Sequence, residues 1–379
     1  MLAVIADDFT GAAELAGIGL RYGLSVALFM GAVETSDADL VVVSTDSRSL
    51  NKNEALHATR AALKGLLPLN PEWVYKKTDS VLRGYVVDEL RVQMEVMGLT
   101  KALLLPANPS LGRTIFGGKY YVHHSLISDT SFATDPEFAV TDASVLKMLD
   151  ADSDEKISVQ KHDDPLPADG IVAGEVCEGN DIMQWLKQVD NTWLIAGAGD
   201  CFEALLQQQG CRQKTGTEPG MLKPYLYVSG TSFATSKTFI KSVQEQERGV
   251  HYLSASVIEE REDQGWFQQV ATTIVAQQKA IIAIDETMIE LTNLSALQLR
   301  TAMAEAVKKI VADQEIKELF IEGGATAAAI FEALNMHHFT PTNELARGVV
   351  RMKGTNDLYV TVKPGSYALP KTIKDLYIS

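Results

Sequence analysis

Short apolar runs alternate with helix-length segments along the first half of the chain. Runs at 2–6, 26–30 and 40–44 have the length and continuity of parallel strands that are covered on both faces. A helix is predicted between the first two, over about 11–23. Similar patterns predict a helix over about 85–97 and strands at 73–75, 102–105, 171–173 and 192–196.

The pattern changes in a stretch rich in glutamine and glycine over 207–224, which is the best candidate for a linker. It predicts two domains, 1–215 and 216–379. The second half resumes the alternation, with strands at 226–228, 280–284, 319–322 and 358–362 and helices near 235–247, 296–313 and 325–335. Such alternation predicts an α/β fold of two domains, each with a mostly parallel sheet flanked by helices.

Composition narrows the class of protein. A chain of 379 residues that is 46% hydrophobic can bury two cores. Its formal net charge of −15 argues against nucleic-acid or anionic-membrane partners, although not against a small anionic substrate. The three cysteines predict neither a disulfide framework nor a zinc site, and no metal site built from protein ligands is predicted. The lack of a long apolar run and of a signal-like start predicts a cytoplasmic protein.

Polar loops follow strands of the first half, where the active sites of open α/β sheets lie. The first loop contains Asp7 and Asp8. Two adjacent carboxylates beside a helix start are costly unless they bind a cation, take a proton or cap the helix. We therefore expect a functional pair, with a simple helix cap as the alternative for one of the two.

Cationic side chains concentrate in two further loops. Segment 76–84 follows the strand at 73–75 and contains two lysines, Asp79, Ser80 and Arg83. The loop that follows the next predicted strand contains Arg113. A planar guanidinium suits a carboxylate or a phosphate. A solvated charged loop and a proline-rich turn are the respective alternatives.

Small residues mark three strand ends in the second half. They include Ser229-Gly230, Gly323-Gly324 and Gly365-Ser366. A tight turn is the alternative for each segment taken alone. Three of them in one domain indicate a nucleotide-phosphate site, because backbone N–H groups at helix starts hold phosphate.

Two other glycine segments compete with these. Segment 112–120 nearly matches a P-loop, but Gly118 precedes Lys119 and a tyrosine replaces the magnesium-binding hydroxyl residue. Gly197 and Gly199 follow a strand and indicate a dinucleotide site only weakly, because a phenylalanine stands where a third glycine is expected.

At these loops the chain resembles the four-carbon acid sugar kinases, which combine a sugar-binding N-terminal domain with a nucleotide-binding C-terminal domain. Ala325 stands where the family has an acidic residue, and 363–368 differs from the usual family ending. The similar segments run in order over nearly the whole chain: 5–12, 44–48, 76–84, 106–107, 112–114, 130–136, 229–232 and 323–326.

The resemblance implies phosphoryl transfer from ATP, with Mg²⁺, to a terminal hydroxyl of a small sugar acid such as threonate, erythronate or an oxo-tetronate. It places the active site in the cleft between the domains, with Asp8 or Asp7 as the catalytic base. The substrate contacts that it implies are Thr10, Asp46, Arg48, Lys77, Asp79, Ser80, Arg83 and Arg113. The nucleotide contacts are Ser229, Gly230, Thr231, Ser232, Gly323, Gly324, Ala325, Thr326, Gly365 and Ser366.

Two other functions stay open on the sequence. Ala325 and the altered C-terminal segment fit a degenerate member that binds a sugar acid as a sensor without phosphorylating it. An NAD-dependent dehydrogenase built on Gly197 and Gly199 is the third hypothesis. The sequence is compatible with a homodimer.

Overall fold

The computed structural model divides the chain into two compact units, Met1–Lys214 and Thr215–Ser379. The structure describes residues 1–134, 138–151, 153–213, 220–231, 233–285 and 294–378. Each unit has parallel strands flanked by helices, which confirms the predicted α/β class.

The first unit alternates strands and helices. Its strands are β1 (Leu2–Ala6), β2 (Val26–Met30), β3 (Leu40–Ser44), β4 (Val74–Lys77), β5 (Lys101–Leu105), β6 (Arg113–Phe116), β7 (Lys119–Val122), β8 (Ser125–Leu126), β9 (Ile157–Gln160), β10 (Gly170–Gly174) and β11 (Trp193–Gly197). Its helices are α1 (Phe9–Arg21), α2 (Lys52–Leu66), α3 (Val86–Met97), α4 (Val145–Met148), α5 (Gly179–Leu186) and α6 (Gly199–Gln208).

The main sheet of this unit is parallel, in the order β2-β3-β1-β4-β11-β5-β10-β9. The chain leaves β1 towards β2 on one side and leaves β4 towards β5 on the other. The carboxyl ends of β1 and β4 therefore border a topological switch point, where open α/β sheets bind ligands. Strands β6, β7 and β8 form a separate antiparallel sheet.

The core of the first unit lies between this sheet and its helices. Ile5 and Val43 belong to one buried cluster with Leu63 of α2. The expectation that Lys76 and Lys77 lie in a loop is wrong. Strand β4 runs through both lysines, which can be buried because carboxylates of neighbouring helices neutralise them.

The second unit continues the alternation. Its strands are β12 (Tyr225–Ser229), β13 (Val250–Tyr252), β14 (Lys279–Ala283), β15 (Glu318–Glu322), β16 (His338–Ala346), β17 (Val349–Lys353) and β18 (Tyr359–Lys363). Its helices are α7 (Ala234–Gln244), α8 (Ala255–Glu260), α9 (Gln264–Gln277), α10 (Ala296–Gln314), α11 (Gly324–Ala333) and α12 (Lys371–Ile378).

The sheet of the second unit has five parallel strands in the order β13-β14-β12-β15-β18. Two antiparallel strands, β17 and then β16, continue the sheet beyond β18. The chain leaves β12 towards β13 and leaves β15 towards the opposite side. The ends of β12 and β15 thus border a second switch point. Tyr225 and Tyr227 belong to a buried cluster with Phe239 of α7 and Tyr377 of α12.

The described residues contain no helix with the length and apolarity that a bilayer crossing requires.

Candidate active site

Asp8 caps helix α1. Its Oδ1 accepts a hydrogen bond from the backbone N–H of Gly11 at 3.0 Å, and its Oδ2 accepts one from the hydroxyl of Thr10 at 2.5 Å. The cap alternative is therefore correct for Asp8, and it explains why α1 begins at Phe9, earlier than predicted. The same carboxylate lies 3.1 Å from Nη2 of Arg48, so the cap also belongs to an ion cluster.

Asp7 is the buried member of the pair. Its Oδ2 accepts hydrogen bonds from Nε and Nη2 of Arg48 at 3.0 and 2.9 Å. Its Oδ1 is shielded from solvent and has no hydrogen-bond partner among the described residues. A buried carboxylate oxygen with a free lone pair is costly unless a ligand or a proton satisfies it.

The two carboxyl groups differ in proton affinity. Burial raises the pKa of Asp7, although the Arg48 guanidinium opposes this. Burial acts in the same direction on Asp8, but Arg48, Lys77 and the Thr10 hydroxyl outweigh it and hold the pKa of Asp8 below its usual value. Asp7 is thus the better proton acceptor of the pair.

Asp79 and Arg83 bind each other. Nε of Arg83 donates to Oδ2 of Asp79 at 2.9 Å, and its Nη2 donates to Oδ1 at 3.0 Å. The backbone N–H groups of Val81 and Arg83 also donate to Oδ2, at 3.2 Å each. Burial would raise the pKa of Asp79, but Arg83 and Arg48 outweigh it and hold that pKa well below its usual value. These contacts fix the shape of the loop after β4.

Arg113, the first residue of β6, lies beside the same loop. It donates a hydrogen bond to the hydroxyl of Ser80, and its guanidinium carbon lies 5.5 Å from the ring centre of Phe132. The guanidinium carbon of Arg83 lies 5.8 Å from that ring. In the described part of the chain, Arg113 has no carboxylate partner, whereas Arg48 and Arg83 both do. Its charge is therefore left for an anion.

The lysines of β4 have buried partners that the sequence analysis missed. Lys76 Nζ lies 2.5 Å from Glu89 of α3, whose other oxygen accepts a hydrogen bond from Ser47 at 2.6 Å. Lys77 Nζ lies 3.6 Å from Glu14 of α1. Glutamates among the apolar residues of amphipathic helices were the signal that could have revealed these pairs.

Asp46 is half-buried and adopts a left-handed backbone conformation with φ 45°. It directly precedes the short turn that contains Arg48, so it lies at the carboxyl end of β3.

The three glycine segments of the second unit meet at the ends of adjacent strands. A Cβ on Gly230 would lie 2.0 Å from the hydroxyl oxygen of Thr326, and one on Gly365 would lie 2.7 Å from that of Thr231. Gly323 adopts φ 100°, which favours glycine, just before α11. These segments approach one another so closely that added side chains would not fit.

The remaining predicted nucleotide contacts divide into three groups. Gly324 begins α11, and Ala325 is exposed in its first turn. Ser229 is the buried last residue of β12, and Ser366 is exposed beyond β18. Ser232 lies outside the described residues, as do positions 135–136 of the segment that resembles the family near Phe132.

Sequence reasoning missed two charged residues at these strand ends. Glu322 and Lys363 are the last residues of β15 and β18, and both are fully buried. A charged residue that ends an apolar strand was the available signal.

The competing glycine segments have structural explanations. Segment 112–120 forms β6, the turn that follows it and the start of β7, and it does not form a phosphate loop. A Cβ on Gly199 would lie 2.9 Å from a carboxylate oxygen of Glu14, and one on Gly197 would lie 2.2 Å from the carbonyl oxygen of Leu105. These glycines allow close packing against α1 and β5.

Comparison with known proteins assigns this chain to a family. Residues 2–192 match the model of a sugar-binding N-terminal domain, and residues 226–367 match that of a nucleotide-binding C-terminal domain. The chain belongs to the four-carbon acid sugar kinase family. The membership predicted from the loop motifs is thus confirmed.

Curated relatives in the four-carbon acid sugar kinase family have modest sequence identity to this chain. A 3-oxo-tetronate kinase of Brucella melitensis is 33% identical over 159 residues, which cover 40% of this chain and 36% of the relative. A D-threonate kinase of Bordetella bronchiseptica is 23% identical over 371 residues, covering 92% and 88% of the two chains. The chain spans between 36% and 41% of the length of several kinases that it matches.

Solved structures share the fold. A Haemophilus influenzae protein of the family DUF1537 has a TM-score of 0.75 at 19% identity, over 100% of this chain and 99% of the other. A Salmonella typhimurium protein has a TM-score of 0.81 at 17% identity, over 99% and 98% of the two chains.

Proposed function

We propose that this protein is an ATP-dependent kinase that phosphorylates a hydroxyl of a four-carbon sugar acid. The observation that carries the proposal is the cluster at the β1–β4 switch point. There, among the described residues, Asp7 keeps a buried oxygen without a partner and Arg113 keeps a charge without a carboxylate. A proton acceptor and an anion site beside the same loop, 78–84, suit phosphorylation of a hydroxy acid. The family membership and the names of the kinase relatives support the proposal.

Arg113 binds the substrate carboxylate in this proposal. The sequence analysis also expected Arg83 to contact the substrate, but Asp79 engages its guanidinium in two hydrogen bonds. Arg48 is shared among Asp7, Asp8 and Asp79. The substrate hydroxyls are assigned to the polar groups at the same strand ends: Thr10, Asp46, Lys77 and Ser80.

Asp7 is the proposed proton acceptor. Its raised pKa and free Oδ1 suit it to take the proton of the attacking hydroxyl. Asp8 stays ionised and helps to hold Arg48 in place. The family resemblance left the two aspartates equal, and their different surroundings favour Asp7.

The nucleotide phosphates are assigned to the β12–β15 switch point. The close approach of Gly230 to Thr326 and the free N–H groups that open α11 fit a phosphate-binding loop. No group of three or more potential metal ligands occurs among the described residues, so Mg²⁺ would be held chiefly by the phosphates. When bound, Mg²⁺ supplies neutralisation of phosphate charge.

A coupled assay of ADP release over a panel of aldonates and oxo-aldonates tests the proposal. We expect turnover with a four-carbon acid, and a loss of about 10²–10⁴-fold in kcat for Asp7→Asn. Asp169→Asn, which changes an exposed carboxylate paired with Lys156, is the control and should keep wild-type activity. Thermal stabilisation by sugar acids, with no response to ATP, would instead support the sensor.

A further inference from the structure

A buried ion pair lies at the carboxyl ends of β15 and β18. Nζ of Lys363 is 2.9 Å from Oε1 of Glu322, and both residues are fully buried. Removing two charges from water is unfavourable unless hydrogen bonds compensate for the lost hydration. Both partners must therefore be held by further hydrogen bonds, and these bonds show which segments the ion pair organises.

The pair links three adjacent strand ends. Ser229, Glu322 and Lys363 are in register across β12, β15 and β18. The hydroxyl of Ser229 donates to Oε2 of Glu322 at 3.0 Å. Ser236, in the first turn of α7, donates to Oε1 at 2.9 Å. One carboxylate thus joins two strands and the helix that follows β12.

Lys363 extends the network into the last glycine segment. Its Nζ donates to the carbonyl oxygens of Pro364 at 2.9 Å and Gly365 at 3.2 Å. Backbone bonds cross the same strand ends, from Gly230 to the Glu322 carbonyl at 3.2 Å and from Gly323 to the Lys363 carbonyl at 3.0 Å. Each of the three glycine segments therefore begins at a residue that this network holds.

We propose that Glu322 and Lys363 are positioning residues for nucleotide binding, because their buried ion pair fixes the three glycine segments relative to one another. The inference rests on the proposed nucleotide site of the second unit. A phosphate-binding loop needs its N–H groups held in place before the ligand arrives, because loops ordered on binding lose affinity. The pair does not contact the nucleotide in this proposal.

The same strand supplies a matched control. Glu318 begins β15, and Arg351 of β17 donates to its two carboxylate oxygens at 2.7 and 3.0 Å. Both residues are buried. This second pair lies at the amino ends of the parallel strands, away from the glycine segments. Breaking it should cost stability as severely, with no reason to alter nucleotide affinity.

Calorimetric titration with ATP, with and without Mg²⁺, tests the inference on the full chain. We compare Glu322→Gln and Lys363→Met with Glu318→Gln and Arg351→Met. We expect the first two variants to weaken ATP binding about tenfold or more, and the second two to stay within about twofold of wild type. Steady-state kinetics should show the same split, with the KM for ATP raised more than the KM for the acid.

Three results would overturn the inference. Equal losses of ATP affinity at both ends of β15 would show a general effect of stability, and wild-type affinity in the first two variants would show that the pair positions nothing. If wild-type protein binds no ATP, the proposed function fails as well.

If Lys363→Met does not fold, a comparison of Ser236→Ala with Ser242→Ala tests the inference instead. Ser242 lies on the same helix as Ser236 but donates its hydrogen bond to the Phe239 carbonyl, away from Glu322. Only the Ser236 variant should lose affinity.

Discussion

At the scale of single residues, the proposed role of each arginine in the candidate site depends on whether a carboxylate already neutralises its charge. Arg48 contacts three carboxylates, and Arg83 is held by Asp79. Among the described residues, Arg113 is the arginine of this cluster without a carboxylate partner. The guanidiniums have identical chemistry, so their different roles follow from their neighbours alone.

Replacement of Arg113 by methionine should remove the preference for an acid. Loss of a charge-assisted hydrogen bond costs about 2 kcal/mol, which corresponds to an increase of roughly 30-fold in the KM for the acid. Kinetics with a sugar acid and with the corresponding uncharged polyol measure this. The ratio of the two kcat/KM values should fall in Arg113→Met. An unchanged ratio would assign the carboxylate to another residue.

Asp79 should make the stability of the protein depend on pH. Its pKa lies well below the usual 3.8 in the folded state, mainly because Arg83 and Arg48 outweigh burial. Its stabilising contribution is therefore complete above pH 3.8 and is lost as the pH falls through the lower folded-state pKa. Asp79→Asn should lose about 3 kcal/mol at pH 7, because it breaks a buried pair.

Urea unfolding at several pH values between 7 and 3 measures the effect. The difference between wild type and Asp79→Asn should shrink in the most acid samples. Asp169→Asn, in an exposed pair, serves as the control and should change stability by under about 1 kcal/mol. A difference that stays constant with pH would contradict the assignment.

At the scale of elements, the start of helix α1 lies close to the carboxyl end of strand β4. A Cβ on Gly11 would lie 2.5 Å from Oδ1 of Asp8 and 3.2 Å from Nζ of Lys77. Because Gly11 has no side chain, the Asp8 cap of α1 and Lys77 at the end of β4 can lie close together. This explains a glycine at the third position of the helix, although glycine is a poor helix former.

Gly11→Ala should damage the site while leaving the fold intact. The added methyl displaces Asp8 or Lys77, so kcat/KM should fall about tenfold, and the weakened cap should cost about 1 kcal/mol. Gly179→Ala is the matched variant, because Gly179 lies in the first turn of α5 with nothing within 4 Å of its Cβ position. It should keep full activity and gain up to about 1 kcal/mol. Equal behaviour of the two variants would refute the steric explanation.

At the scale of the whole molecule, the two units share a chain path that the sequence does not display as a repeat. In the first, strands occur in the order second, third, first, fourth, from β2 to β4. In the second, β13, β14, β12 and β15 follow the same order. Each unit therefore has a switch point beside its first strand. The candidate acid site and the candidate phosphate site occupy these equivalent positions.

The sequence by itself determined many strands of the parallel sheets, the polar loops at their ends and the family. Apolar runs predicted β1, β2 and β3 with their observed bounds, because a parallel strand covered on both faces must be continuously apolar. The motifs after these strands identified the polar loops, since ligand sites follow from topology. Local pattern was sufficient for these features because each depends on neighbouring residues.

Only the tertiary structure decided how the charges are distributed. Lys76 and Lys77 belong to β4 because Glu89 and Glu14, from distant helices, neutralise them where hydropathy predicted a loop. The assignment of Arg83 to Asp79, and the burial of Glu322 with Lys363, depend likewise on partners that folding brings together. A charged group is stable inside a protein only when its partner is present, and no local pattern of sequence contains that partner.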